Sequence, residues 1–109
     1  MRYSSIKILG TRYKLQVNDK EHDFLLRDRY AYCDPSSKKI VICNLEKEDD
    51  IEQENVNEFK NNLLRHEIIH AFLIESGLND ACDWHCEEMV DWLAMQFPKL
   101  SSLFEQLNI

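Results

Sequence analysis

No stretch of the chain approaches the roughly 18 consecutive apolar residues that a membrane span requires. The opening residues, "MRYSSIKILG", lack the long apolar centre and small-residue cleavage site of a secretory signal. A basic stripe is missing too: 13 Lys and Arg stand against 20 Asp and Glu, for a formal net charge of -7. The only basic clusters, Arg27/Arg29 and Lys38/Lys39, are small and interrupted by acids. That balance argues against direct nucleic-acid binding, which needs clustered cations to meet phosphates. There are no internal repeats, no low-complexity tracts and no paired C-x2-C knuckles. These absences predict a cytoplasmic protein without a membrane or nucleic-acid partner. Cys33, Cys43, Cys82 and Cys86 then read as reduced, scattered thiols. A structural metal site is the lesser reading of them, with Cys82, His85 and Cys86 close in sequence and Cys33 opposite Cys43 across a hairpin.

A length of 109 residues predicts one domain, 1–109, with a single modest core. Its first half holds short apolar runs of strand character, "IKIL" (Ile6 to Leu9), "YKLQV" (Tyr13 to Val17), "YAYC" (Tyr30 to Cys33) and "KIVIC" (Lys39 to Cys43). Asp34-Pro35-Ser36-Ser37 favours a turn, so Tyr30 to Cys43 reads as a β-hairpin. The acidic stretch "EKEDDIEQEN" is expected to be a solvated linker into a helix, whose N-terminus suits carboxylates. Helical patterning follows from Val56 to Ser76, and Gly77 stands where a left-handed residue would end it. After a polar connection over 78–84, a second helix is expected from Cys86 to Phe97, ended by Pro98, with one or two further turns in "LSSLFEQL". Strands first and helices second predict an α+β domain, a small antiparallel sheet with helices packed on one face. Trp84, Trp92 and Phe97 read as ordinary core residues.

The most informative segment is "LLRHEIIHAFLIESG", Leu63 to Gly77. At about 100° per residue, Phe59, Leu63, His66, His70, Leu73 and Ile74 share one helix face, while Leu64, Ile68, Ile69, Ala71 and Phe72 make the other faces apolar too. A helix apolar all round is expected to be buried, and ionisable groups buried in it need partners. His66-Glu67-Ile68-Ile69-His70 is an HExxH pattern. Histidines at i and i+4 stack on one face and can both reach one Zn2+ at about 2.0–2.1 Å, while the intervening glutamate can take a proton from metal-bound water.

Catalytic zinc commonly has three protein ligands, so a third is expected. It does not come from the extended HExxHxxGxxH pattern, because Leu73 and Ser76 occupy its Gly and His positions. The next helix, "CEEMVDWLAMQFP", offers Glu87, Glu88 and Asp91, with His85 just before it. Glu87 and Asp91 border the face built by Val90, Leu93, Ala94 and Phe97, and Glu88 points about 100° away. Ala94 is small enough to let the two helices approach. This favours Glu87 as third ligand, with Asp91 accepting the N–H of a ligating histidine, His66 in the first instance. Glu88 and His85 stay as alternatives for the metal. Tyr30, Tyr32 and His22 are candidates to stabilise an oxyanion.

With HExxH, a glutamate on the next helix and an aspartate one turn later, the chain resembles the gluzincin-type metallopeptidases. More narrowly, "YCDPSSKKIVICN", "LLRHEIIHAFLIESG" and "EEMVDWLAMQFP" resemble the ImmA/IrrE family and the short phage-encoded zinc-peptidase-like proteins related to it. The resemblance covers residues 30 to 98. It implies a minimal zincin fold, Zn2+ held by His66, His70 and Glu87, and Glu67 as general base. The family's Glu-helix tends to read E-x-x-A-N-x-F-A, and Asp91 stands here in place of the Asn. The span from His70 to Glu87 is shorter than expected for larger members, and no counterpart of their helix-turn-helix or sensor domain is expected in residues 1–109.

The function expected on these grounds is zinc-dependent hydrolysis of a peptide or protein substrate laid along an edge strand of the hairpin. The rival from another class is a catalytically silent, zinc-stabilised protein-binding module, such as an accessory protein of a phage or mobile element.

Overall fold

A computed structural model describes residues 4–48, 55–78 and 83–109. Four strands, β1 (Ser5–Ile8), β2 (Thr11–Asn18), β3 (Ala31–Asp34) and β4 (Lys39–Cys43), precede two helices, α1 (Val56–Glu75) and α2 (Glu87–Gln106). The architecture is α+β, as the order of patterns predicts. The sheet, however, is mixed rather than antiparallel, with strand order β1-β2-β4-β3. β1 and β2 form one antiparallel pair and β3 and β4 another, but β2 runs parallel to β4, with Leu15 beside Ile40 and Val17 beside Ile42. The connection between β2 and the hairpin is long enough for a crossover, which a parallel pair demands and a tight turn cannot supply. Insertion of β4 between β2 and β3 makes it the strand covered on both faces, and Ile40, Val41, Ile42 and Cys43 are all buried.

Two apolar clusters lie on opposite sides of this sheet. Ile8, Tyr13 and Ile40 pack with Ala71 of α1, while Val41, Cys43 and Tyr32 pack with Leu26, from a single 3-10 turn at Phe24–Leu26. The β3–β4 hairpin has Cys33 opposite Ile40, not opposite Cys43, so the proposed cysteine pair does not form. Cys33, Cys43 and Cys86 are not joined to one another by a disulfide; Cys82 lies outside the described residues, as do 49–54 of the acidic stretch and 79–82 of the connection.

Asn55 caps α1, its side chain accepting from the backbone N–H of Glu58, and Gly77 follows the helix at φ +99°, where a side chain would be strained. α1 is not buried all round. Glu67 and Ala71 alone are buried, on the sheet side, and Phe72 is 48% exposed. One four-stranded sheet and one neighbouring helix cannot cover every face of a 20-residue helix.

Pro98 does not end α2, which continues to Gln106. A proline removes the N–H that would bond the carbonyl of residue i−4, here Ala94. The Arg65 guanidinium on α1 donates to that carbonyl instead, at 2.9 Å from Nε, while its Nη2 pairs with Glu58. The helix continues because the neighbouring helix satisfies the acceptor. Only Val90 and Ala94 of α2 are fully buried. Trp92 is about 200° from both on the helical wheel, and Trp84, Trp92 and Phe97 are 75%, 61% and 52% exposed, outside the core expected for them. Among the described residues, no helix is long and apolar enough to cross a membrane.

Candidate metal centre

The site forms where α1 lies between the sheet and α2. Glu67 and Ala71, one turn apart, face the sheet. His66 and His70, each one residue earlier and so rotated by about 100°, face α2. There the first turn of α2 presents Glu87, and the second presents Asp91. Carboxylates at that end also oppose the positive pole of the helix dipole.

Four atoms converge. Nε2 of His66 lies 3.1 Å from Nε2 of His70 and 3.1 Å from Oε2 of Glu87. Nε2 of His70 lies 3.0 Å from the other oxygen, Oε1. Ligands on a tetrahedral ion with arms of about 2.0 Å stand about 3.3 Å apart, so the triangle has nearly the edge that zinc would impose. Outside it, Nδ1 of His66 is 2.7 Å from Oδ1 of Asp91. A carboxylate only accepts, so that nitrogen carries the proton, and in the neutral ring Nε2 is left with a bare lone pair. Lone pairs and a carboxylate pressed to about 3 Å repel unless a cation or proton lies among them. The donor set is that of a divalent ion preferring nitrogen and oxygen.

His85 is buried and is not part of the triangle. It stands behind His70, with Nε2 at 2.7 Å from His70 Nδ1 and Nδ1 at 3.1 Å from the carbonyl oxygen of Leu78. Glu88 is exposed and lines neither opening of the site. His66, Glu67 and His70 form one group able to hold a metal, and His66, Glu87 and Asp91 another. A third, Asp19, Glu21 and His22, is more open, and Lys47 already neutralises Asp19 at 2.8 Å.

A cleft of about 530 Å³ opens onto the triangle, lined by Arg29, Tyr30 and Ala31 on the sheet side and by Asn62, Leu63 and Asp91 on the helices. Glu87 is 69% exposed and leaves one side open to solvent. Glu67 is only 7% exposed, and burial pushes its carboxyl up to about 7. The His66 ring and Arg29 pull it down, while the negative charges of Glu87 and Asp91 push it up. Of the oxyanion candidates, Tyr30 lines the cleft. The Tyr32 hydroxyl donates to Asp23 at 2.7 Å, and exposed His22 sits 3.7 Å from Asp19, so neither lies at the triangle.

Sequence reasoning missed three residues here. Arg29 is the cation lining the cleft, and it comes from a loop without periodicity. Asn62 has a buried Oδ1 without a partner, one turn before His66 on the cleft side, a position the helical spacing could have revealed. Cys33 lines a second opening beside Glu67 and His70; burial and the nearby Glu67 charge push its thiol up to about 12, which makes it a poor nucleophile at neutral pH. No family model, curated protein or solved structure matches the chain.

Proposed function

We propose that the protein is a zinc-dependent metallopeptidase of the gluzincin type, similar to the ImmA/IrrE family, with His66, His70 and Glu87 as ligands and Glu67 as general base. The observation that carries this reading is the triangle of His66 Nε2, His70 Nε2 and the Glu87 carboxylate, with edges of 3.0–3.1 Å. His66, His70 and Glu87 would hold zinc, which would supply Lewis acidity to a scissile carbonyl and make a water more acidic, towards a pKa of about 7. The remaining work belongs to the chain. Glu67, with a carboxyl near 7, is poised to accept a proton at neutral pH and return it to a leaving amine. Asp91 holds the His66 ring. β3 is a terminal strand of the sheet, and Tyr30 and Ala31 at its start border the cleft, so an extended peptide can add to that edge. Arg29 and Asn62 provide a donor and an acceptor for its polar groups.

Metal analysis by mass spectrometry, on protein purified without metal affinity, is the test. One zinc per chain, lost in His66→Ala and in Glu87→Ala, is expected. A wild-type protein without zinc would remove the hydrolase reading. Cleavage of labelled casein or a peptide library by the wild type but not by zinc-loaded Glu67→Gln separates the enzyme from the silent binding module.

A further inference from the structure

His85 and the carbonyl of Leu78 have no part in the chemistry above, yet they are joined to it through His70. The order of protons along this chain follows from what each atom can do. A carbonyl oxygen only accepts, so the Nδ1 of His85, 3.1 Å from Leu78 O, carries a hydrogen. In a neutral imidazole the other nitrogen is then bare, and His85 Nε2 must accept. Its partner at 2.7 Å is His70 Nδ1, which therefore donates. That leaves His70 Nε2 without a proton, its lone pair aimed at the point where His66 and Glu87 converge. The two rings are tilted by 34° with centroids 5.0 Å apart, so the contact runs nitrogen to nitrogen rather than face to face.

We propose that His85 is a positioning residue which, anchored by the Leu78 carbonyl, locks His70 in the Nδ1–H tautomer and so keeps its Nε2 available for metal. The inference rests on the reading of His70 as a ligand. It gives the two ligating histidines different supports: a solvent-exposed carboxylate, Asp91, behind His66, and a buried imidazole behind His70. The carboxylate can only accept, whereas His85 accepts at Nε2 while its own proton sits on Nδ1, the tautomer that the Leu78 carbonyl favours. The orientation of His70 thus depends on the backbone at the exit of α1 as well as on α1 itself.

The test compares wild type with His85→Phe, which fills the space without an acceptor, and His85→Gln, whose amide can accept from His70 and donate to Leu78. Zinc affinity is measured by competition with a chromophoric chelator. Nitrogen-15 NMR of the imidazoles reads the His70 tautomer in zinc-free protein. Expected are an Nδ1–H tautomer in wild type, a shift towards Nε2–H in His85→Phe with zinc affinity about 10–100-fold weaker, and recovery of most of both in His85→Gln. A wild-type His70 protonated at Nε2 overturns the proposal without any variant, as does His85→Phe binding zinc as tightly as wild type. Absence of zinc binding in the wild type overturns the metallopeptidase reading instead, and the tautomer in the zinc-free protein still decides the relay.

Discussion

Glu67 and Glu75 sit about two turns apart on α1 and carry the same carboxylate into different surroundings. Glu75 is met by three donors: Lys38 Nζ at 2.9 Å, the Tyr13 hydroxyl at 2.8 Å and the Thr11 hydroxyl at 2.9 Å. Those hydrogen bonds, Lys38 first, hold its carboxyl down to about 2, and burial together with the Glu75 bond raises the Tyr13 phenol above its ordinary range. Glu67 is more deeply buried and is surrounded by charges of both signs, and its carboxyl is pushed up to about 7. The first arrangement ties the end of α1 to β2 and to the hairpin turn. The second leaves a carboxyl near 7, the property that the proposed general base requires. A carboxylate satisfied by donors is structural, and one left short of donors can still do chemistry.

The sharpest way to break this contrast is to remove each charge in turn. Glu67→Gln should lower hydrolysis on the order of 10²–10⁴-fold while zinc content stays at one per chain. Glu75→Gln should leave turnover near wild type at temperatures where it remains folded. Comparable losses in the two variants would erase the distinction.

Stability against pH separates them next, in zinc-free protein. For Glu67, native and unfolded carboxyls are both protonated well below the ordinary value of 4.5, and the burial costs nothing there. Between 4.5 and about 7 the unfolded chain is ionised while the native one keeps its proton, so stability falls as pH rises, and above about 7 the loss is constant. Glu67→Gln should therefore gain on the order of 1–3 kcal/mol over wild type at pH 8 relative to its difference at pH 4. Urea denaturation at both pH values measures it, and parallel profiles would contradict the raised value.

Glu75 runs the other way. Its folded pKa is depressed, so its contribution is complete above 4.5 and disappears as pH falls through about 2. Glu75→Gln should lower the Tm at pH 7 and make little difference at pH 2. The smallest effect is expected from Lys38→Met: the lysine is 44% exposed and solvent screens it, while Tyr13 and Thr11 still hold the carboxylate. NMR titration should then find Glu75 closer to 4.5 but still below it, with only a minor change in Tm.

Much of the site can be read along the chain because its main parts are local. Two histidines four apart on a helix share a face wherever that helix is placed, and Glu87 and Asp91 repeat the same spacing on α2. Gly77 ends α1, and the turn at Asp34-Pro35 folds the hairpin, for equally local reasons. His85 could be weighed from sequence as a ligand, but its place behind His70 depends on the path between the helices. The exposed tryptophans have the same origin. Hydrophobicity marks Trp84 and Trp92 as core candidates, yet a small sheet and two helices bury only the Val90–Ala94 side of α2.

What the sequence by itself determined is therefore the set of elements, the HExxH register and the side of each helix on which the candidate ligands stand, since periodicity and residue chemistry act over a few residues. Only the tertiary structure decided the parallel pairing of β2 with β4, the continuation of α2 past Pro98 and the place of His85 behind His70. Each depends on a partner distant in the chain: a crossover strand, a guanidinium from another helix, an acceptor set behind a ring. A hydrogen bond across the fold exists only when packing has brought its two ends within about 3 Å.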